Sequence, residues 1–173
     1  MDDLKKHIRQ VPDFPIPGIL FYDITTLLDK PAVFSGIIGE LSKRYAGRRI
    51  DKVAAMESRG FIFAAPVAKE IGAGFVPLRK PGKLPYETLR VSYSLEYGEA
   101  AIEVHKDAIK PGERVLVLDD LLATGGTAAA AVALVRKMGG EVVEAGFVIE
   151  LSGLKGREKL SGVPVFSMVS YDD

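Results

Sequence analysis

Cysteine is absent from this 173-residue chain, and histidine is limited to His7 and His105. These two shortages exclude disulfides, thiolate metal sites and a cysteine nucleophile, and they make a histidine-rich metal centre improbable. Any metal is therefore expected to be oxygen-bound. An excess of one charge is missing too, since 23 basic residues balance 23 acidic ones. Without a global field to draw in DNA, RNA or anionic lipid, no nucleic-acid partner is expected. The longest uninterrupted apolar run, Ala128 to Val135, is far too short to span a bilayer. The opening stretch MDDLKKHIRQVPDFP lacks the apolar centre of a secretion signal. The expectation is a soluble, unprocessed cytoplasmic chain with no membrane partner, and a cysteine-free composition suits a reducing compartment. What is present is ordinary globular material, 47% hydrophobic and 27% charged, of a length that suits one domain over residues 1–173.

Residues 11–26, VPDFPIPGILFYDITT, hold three prolines and a glycine among apolar residues, which predicts a fixed extended or turning loop that covers something. Residues 31–46 place Val33, Ile37, Leu41 and Tyr45 at helical spacing, with Pro31 at the start and Gly47 just past the end. The basic cluster Lys43, Arg44, Arg48 and Arg49 then reads as a solvated helix end. KVAAM (52–56) reads as a strand, ESRG as a turn, and FIFAAPVAKEI as a helix stopped by Gly72. FVPLR (75–79) is a second strand candidate, and from Arg79 to Arg90 four basic residues face one acidic residue. Residues 92–106 alternate well enough for a hairpin turning near Gly98. The apolar run VLVL, the helix TAAAAVALVRK, and the strands EVVEAGFVIEL and VPVFSMVSY follow, with a short helix around LKGREKL. Uninterrupted apolar strands joined to helices predict an α/β fold with a largely parallel central sheet flanked by helices.

In such sheets ligands collect at the carboxyl ends of strands. The segment Val115–Thr127, VLVLDDLLATGGT, delivers Asp119 and Asp120 to a strand tip and then opens a helix with Thr124, Gly125, Gly126 and Thr127. Adjacent strand residues point to opposite faces, so two acids in sequence reach two different hydroxyls. The glycines permit close backbone approach, and amides at a helix start suit a phosphate monoester. An acidic pair beside a phosphate cradle describes a ribose 5-phosphate site. A strand-to-helix turn with polar caps is the plainer alternative. Neither GxxxxGK[ST] nor GxGxxG occurs.

The 13-residue segment VLVLDDLLATGGT resembles the phosphoribosyl diphosphate (PRPP) signature of type I phosphoribosyltransferases. VPDFPIPGILFYDIT, ESRGFIF, RKPGKLP, SYSLEYG and ELSGLKGREKL resemble, in order and spacing, the members of that family that act on adenine. The resemblance runs from about Val11 to the C-terminus. It implies the type I fold with a small N-terminal hood (11–26) and a mobile lid region (79–96), and a homodimer. The implied reaction is adenine plus PRPP giving AMP and pyrophosphate in purine salvage, with Mg²⁺ carried by PRPP through its own oxygens and no protein metal site.

Residue by residue, Asp119 and Asp120 match the ribose-binding acids, and Ala123, Thr124, Gly125, Gly126 and Thr127 match the 5′-phosphate loop. Glu57, Ser58, Arg59 and Gly60 match a pyrophosphate loop whose non-proline peptide is often cis. Arg79, Lys80 and Lys83 match lid cations over pyrophosphate. Glu96, Arg59 and Lys83 are the implied catalytic residues, Glu96 being the group that handles the adenine N9 proton. Phe21 and Leu151 match the residues that sandwich the base, and Leu20 and Tyr22 match positions that read its edge through the main chain. Many relatives carry arginine where this chain has Tyr22. His7 and His105 match nothing and read as surface or partner-contact residues. Two rivals stay open: a 6-oxopurine as the accepted base, and a PRPP-sensing regulator without catalysis, although the chain has neither the length nor the charge for an added DNA-binding domain.

Overall fold

The computed structural model describes residues 4–94 and 99–172. After a 3₁₀ turn (Leu4–His7), strand β1 (Arg9–Pro12) pairs antiparallel with β2 (Leu20–Asp23), and one-turn helix α1 (Thr25–Leu28) follows. The 11–26 segment is thus a small hairpin whose first strand begins at Arg9, with Phe14–Pro15 in the cis form.

Helix α2 (Pro31–Tyr45) starts with proline at its first position, where a missing N–H leaves no bond unmade. Strand β3 (Lys52–Met56), helix α3 (Arg59–Ile71) and strand β4 (Gly74–Leu78) follow. Gly72 closes α3 in the left-handed conformation at φ 72°. Strands β5 (Thr88–Ser94) and β6 (Glu99–His105) form a separate antiparallel pair, and the expected turn at Gly98 lies outside the described residues. Strand β7 (Arg114–Leu122), helix α4 (Gly126–Lys137), strand β8 (Glu141–Leu151) and strand β9 (Val165–Tyr171) complete the chain. Two short 3₁₀ turns, Ser152–Leu154 and Gly156–Leu160, stand where a helix was expected around LKGREKL.

β3, β4, β7, β8 and β9 make one five-stranded parallel sheet in the order β4-β3-β7-β8-β9. The pleat assigns its two faces. Val53, Ala55, Leu116 and Leu118 pack with Ile37, Leu41, Tyr45, Phe63 and Val67 of α2 and α3. Ala54, Met56, Val115 and Val117 pack with Ala131, Leu134 and Val135 of α4 and with Ile102 and Val104 of β6. Burial on both faces is why these strands read as continuous apolar runs.

One expectation fails at the end of α2. Arg44 and Arg48 are not a solvated helix end, because both reach Glu144 on β8, whose side chain is 3% exposed. Arg44 donates to Oε1 from Nε at 2.9 Å and from an Nη at 2.6 Å, Arg48 binds Oε2, and the Arg44 guanidinium lies 3.7 Å from the Phe166 ring centroid. A carboxylate buried beneath the helix draws these arginines in, since an unpaired buried charge is costly.

Candidate active site

The carboxyl ends of β3 and β7 and the first turns of α3 and α4 border a cleft of about 260 Å³. It is lined by Glu57, Arg59, Asp119, Asp120 and the whole loop Ala123–Thr127. The acidic pair lies inside β7 rather than at its tip, because the strand continues to Leu122. Both acids meet the start of α3. Arg59 Nε lies 2.9 Å from Asp120 Oδ2, and a Cβ on Gly60 would run into Asp119 Oδ1, so a larger residue there would displace that carboxylate. Asp119 Oδ1 accepts the Asp120 amide at 2.9 Å.

Electrostatics make this pair unusual. Burial raises the Asp119 carboxyl well above the ordinary aspartate range, and the neighbouring Asp120 charge adds to the shift. Burial also raises Asp120, with the Arg59 cation opposing it. The Arg59 contact is an ion pair without hydrogen-bond alignment, so buried Asp120 Oδ2 has no hydrogen-bond partner among the described residues. An orphaned acceptor in a cleft is an invitation to a hydroxyl donor.

Beyond β7, Gly125 caps α4 at φ 77°, a conformation open to glycine, and the loop ends on the helix N-terminus, where backbone N–H groups point outward. Thr127 Oγ1 bonds the Tyr93 hydroxyl at 3.2 Å, tying the loop to β5.

Across the cleft, the Glu57–Ser58 peptide is cis and Ser58 is exposed at the head of α3. Desolvation pushes the Glu57 carboxyl up, but the Lys80 amide and the Arg79 side chain outweigh it, and the group sits below its ordinary value. Arg79 donates to Glu57 Oε2 at 3.0 Å. Lys80 and Lys83 are exposed and lie outside the cleft lining, with Lys80 bordering a separate hollow beside Arg90. Glu103 of β6 accepts the Gly82 amide at 3.2 Å, tying the 79–83 turn to that strand. Glu96 lies outside the described residues.

A second hollow, about 360 Å³, opens between the hairpin and α3 and is lined by Val11, Phe14, Phe21, Asp23, Ile24, Thr25 and Arg59. Phe14 meets Phe21 edge-on at 5.1 Å, and the Arg59 guanidinium stands 5.7 Å from the Phe21 centroid. Arg59 therefore belongs to both hollows. Leu20 is exposed on the hairpin, whereas Tyr22 is 3% exposed and stacks on Tyr171 at 4.2 Å, so its side chain faces the core. Leu151 is half-buried at the end of β8 and does not line this hollow. Sequence reading missed Phe14, Tyr93 and Glu103, whose signals were only an apolar residue between prolines and one member of each alternating strand of a hairpin.

Comparison with known proteins finds relatives over nearly the whole chain. Residues 23–168 match the phosphoribosyl transferase domain. The adenine phosphoribosyltransferase of Solibacter usitatus is 59% identical over 172 residues, covering 99% of both chains. A crystal structure of adenine phosphoribosyltransferase from Thermoanaerobacter pseudethanolicus superposes with a TM-score of 0.95 at 49% identity, over 98% of this chain and 99% of that one. The Saccharomyces cerevisiae adenine phosphoribosyltransferase, solved with an imino-altritol bisphosphate and adenine, gives a TM-score of 0.92 at 42% identity over 97% of each chain. An acidic pair beside a glycine cradle on this sheet, matched along nearly its whole length, makes the chain a member of the phosphoribosyl transferase family, in its adenine phosphoribosyltransferase branch.

Proposed function

We propose that this protein transfers the 5-phosphoribosyl group of PRPP to adenine, yielding AMP and pyrophosphate in purine salvage. The observation that carries the reading is the orphaned Asp120 oxygen beside the Ala123–Thr127 cradle, within one cleft. Asp119 and Asp120 accept from the ribose hydroxyls, and the loop amides with Thr124 and Thr127 hold the 5′-phosphate. The loop at Glu57, Ser58, Arg59 and Gly60 receives pyrophosphate, and Arg79, Lys80 and Lys83 balance its charge as it leaves. Phe21 covers one face of the base, Leu151, which stands outside the hollow that Phe21 lines, is assigned to the other, the main chain of Leu20 and Tyr22 reads its edge, and Glu96 takes its N9 proton. Because the Tyr22 side chain packs on Tyr171, replacement of the family's arginine supports base reading through the backbone alone.

Transfer at the anomeric carbon passes through an oxocarbenium-like state, so the chain's work is to hold three groups in line and exclude water. The family implies Mg²⁺, and Asp119 and Asp120 are hard oxygen donors of the kind it prefers, directly or through its waters. Such an ion, carried by PRPP, would supply charge neutralisation for the leaving pyrophosphate. A homodimer is supported by the sequence resemblance, and a cytoplasmic location by the cysteine-free composition. Among the described residues no helix is long and apolar enough to cross a membrane.

Incubating the protein with PRPP, Mg²⁺ and adenine, hypoxanthine or guanine tests the reading. AMP forms from adenine, and the other bases react at rates lower by about tenfold or more, because a 6-oxo group offers an acceptor where adenine offers a donor amine. Nucleotide from hypoxanthine alone, or from no base, overturns it.

A further inference from the structure

The transfer chemistry leaves two buried carboxylates unused, Glu144 under α2 and Glu150. Glu150, near the end of β8, is 4% exposed and fully paired. Arg157 donates Nε to Oε1 and an Nη to Oε2, each at 2.6 Å, and the Ser167 hydroxyl of β9 also donates to Oε2. The same guanidinium reaches the Val165 carbonyl at 3.0 Å and Ser167 Oγ at 3.1 Å. Arg157 and then Ser167 hold the Glu150 carboxyl below its ordinary value against the opposing effect of burial. A planar two-point fork fixes orientation as well as distance, so the turn carrying Arg157 is pinned to two strands at once. Its far end is fixed by Leu160, 2% exposed in the core beneath α4.

The pin presents the residue just before Arg157 to the phosphate loop. Gly156 is buried back to back with Gly125. A Cβ on Gly125 would run into the Gly156 carbonyl, and a Cβ on Gly156 would run into the Ala123 carbonyl oxygen and come within 3.1 Å of the Gly125 amide nitrogen. The φ of Gly156 is not left-handed, so close approach rather than backbone freedom is what requires glycine there.

We propose that Gly156, held by the Glu150–Arg157–Ser167 cluster, is the floor on which the 123–127 loop is seated, and that these four are positioning residues for recognition of the 5′-phosphate. The proposal rests on the reading of that loop as the phosphate site. None of the four lines the cleft. Raising the floor by one methyl group, or loosening its pin, lifts the loop and misaims its amides, while the base hollow beyond Arg59 is left alone.

Calorimetric titration with AMP and with adenosine separates the two, since they differ only by the phosphate. Wild type binds AMP more tightly than adenosine. In Gly156→Ala, and in Arg157→Lys, which keeps the charge but loses the fork, the Kd for AMP rises by about tenfold while that for adenosine changes by less than about twofold. In turnover, KM for PRPP rises by a similar factor with kcat within about threefold. Should wild type bind AMP and adenosine equally, the phosphate-loop reading itself fails. Should wild type discriminate while both folded variants keep the wild-type ratio, the positioning role is overturned even if melting temperatures drop. If Gly156→Ala does not fold, Arg157→Lys decides the matter alone.

Discussion

Two consecutive aspartates concentrate the energetics of this protein at a single point. Their residue types and positions are plain in the sequence, but their electrostatic state is not, because desolvation depends on the strands and helices that close around them. Both folded-state carboxyls are raised. A raised carboxyl binds its proton more tightly in the folded chain, so stability declines as pH climbs from the unfolded aspartate value toward the folded one, and the deficit is complete above it. Asp119→Asn removes that deficit and one charge that repels Asp120. The variant is expected to melt at a higher temperature than wild type at pH 8, with the gain shrinking toward pH 4, while KM for PRPP rises by about tenfold or more through loss of a charged acceptor. Melting curves across pH and steady-state kinetics check both halves. A lower melting temperature with an unchanged KM contradicts them. Asp120→Asn tests the orphaned oxygen separately and is expected to weaken PRPP binding while freeing Arg59, a change read from the kinetics alone.

Elements that lie wholly inside the core were legible because burial imposes a pattern. The apolar runs at 53–56, 115–118 and 145–149, and the helical spacing from Val33 to Tyr45, follow from which faces are covered. The N-terminal hairpin was not legible as strands, since three prolines argued for loop and its pairing is short and at an edge. Nor was the role of Arg44 and Arg48, because the carboxylate they serve is about a hundred residues away and nothing local announces it. This junction of α2 with β8 carries its own prediction. Replacing both arginines by alanine strands Glu144, 3% exposed, without its cations and costs about 3–5 kcal/mol. Urea midpoints measure the loss, and activity per folded molecule at 25 °C is expected to stay near wild type, because the pair is remote from the cleft lining. Glu144→Gln, which keeps shape and removes the charge, is expected to cost less than the double variant.

At the scale of the whole molecule the acid limb of stability reports on the paired carboxylates. Glu150, with a lowered folded value due first to Arg157, contributes stability that is present above the unfolded glutamate range and is lost as pH falls through its folded value. The stability difference between wild type and Glu150→Gln is therefore expected to be largest near pH 7 and to close below about pH 4, as measured by denaturant unfolding at stepped pH. A gap that widens on acidification contradicts the assignment. Residue order alone was enough for the α/β class, the strand and helix order, and the local motif in which an acidic pair precedes a double glycine, because each is a short-range property set by periodicity, turn chemistry and adjacent residue types. Packing was needed to show that Arg59 borders both hollows, that the side chain of Tyr22 lies against Tyr171, and that Gly156 lies against Gly125. Those are contacts between segments far apart along the chain, fixed by how the sheet and its helices pack, and no local pattern encodes a neighbour that only folding brings near.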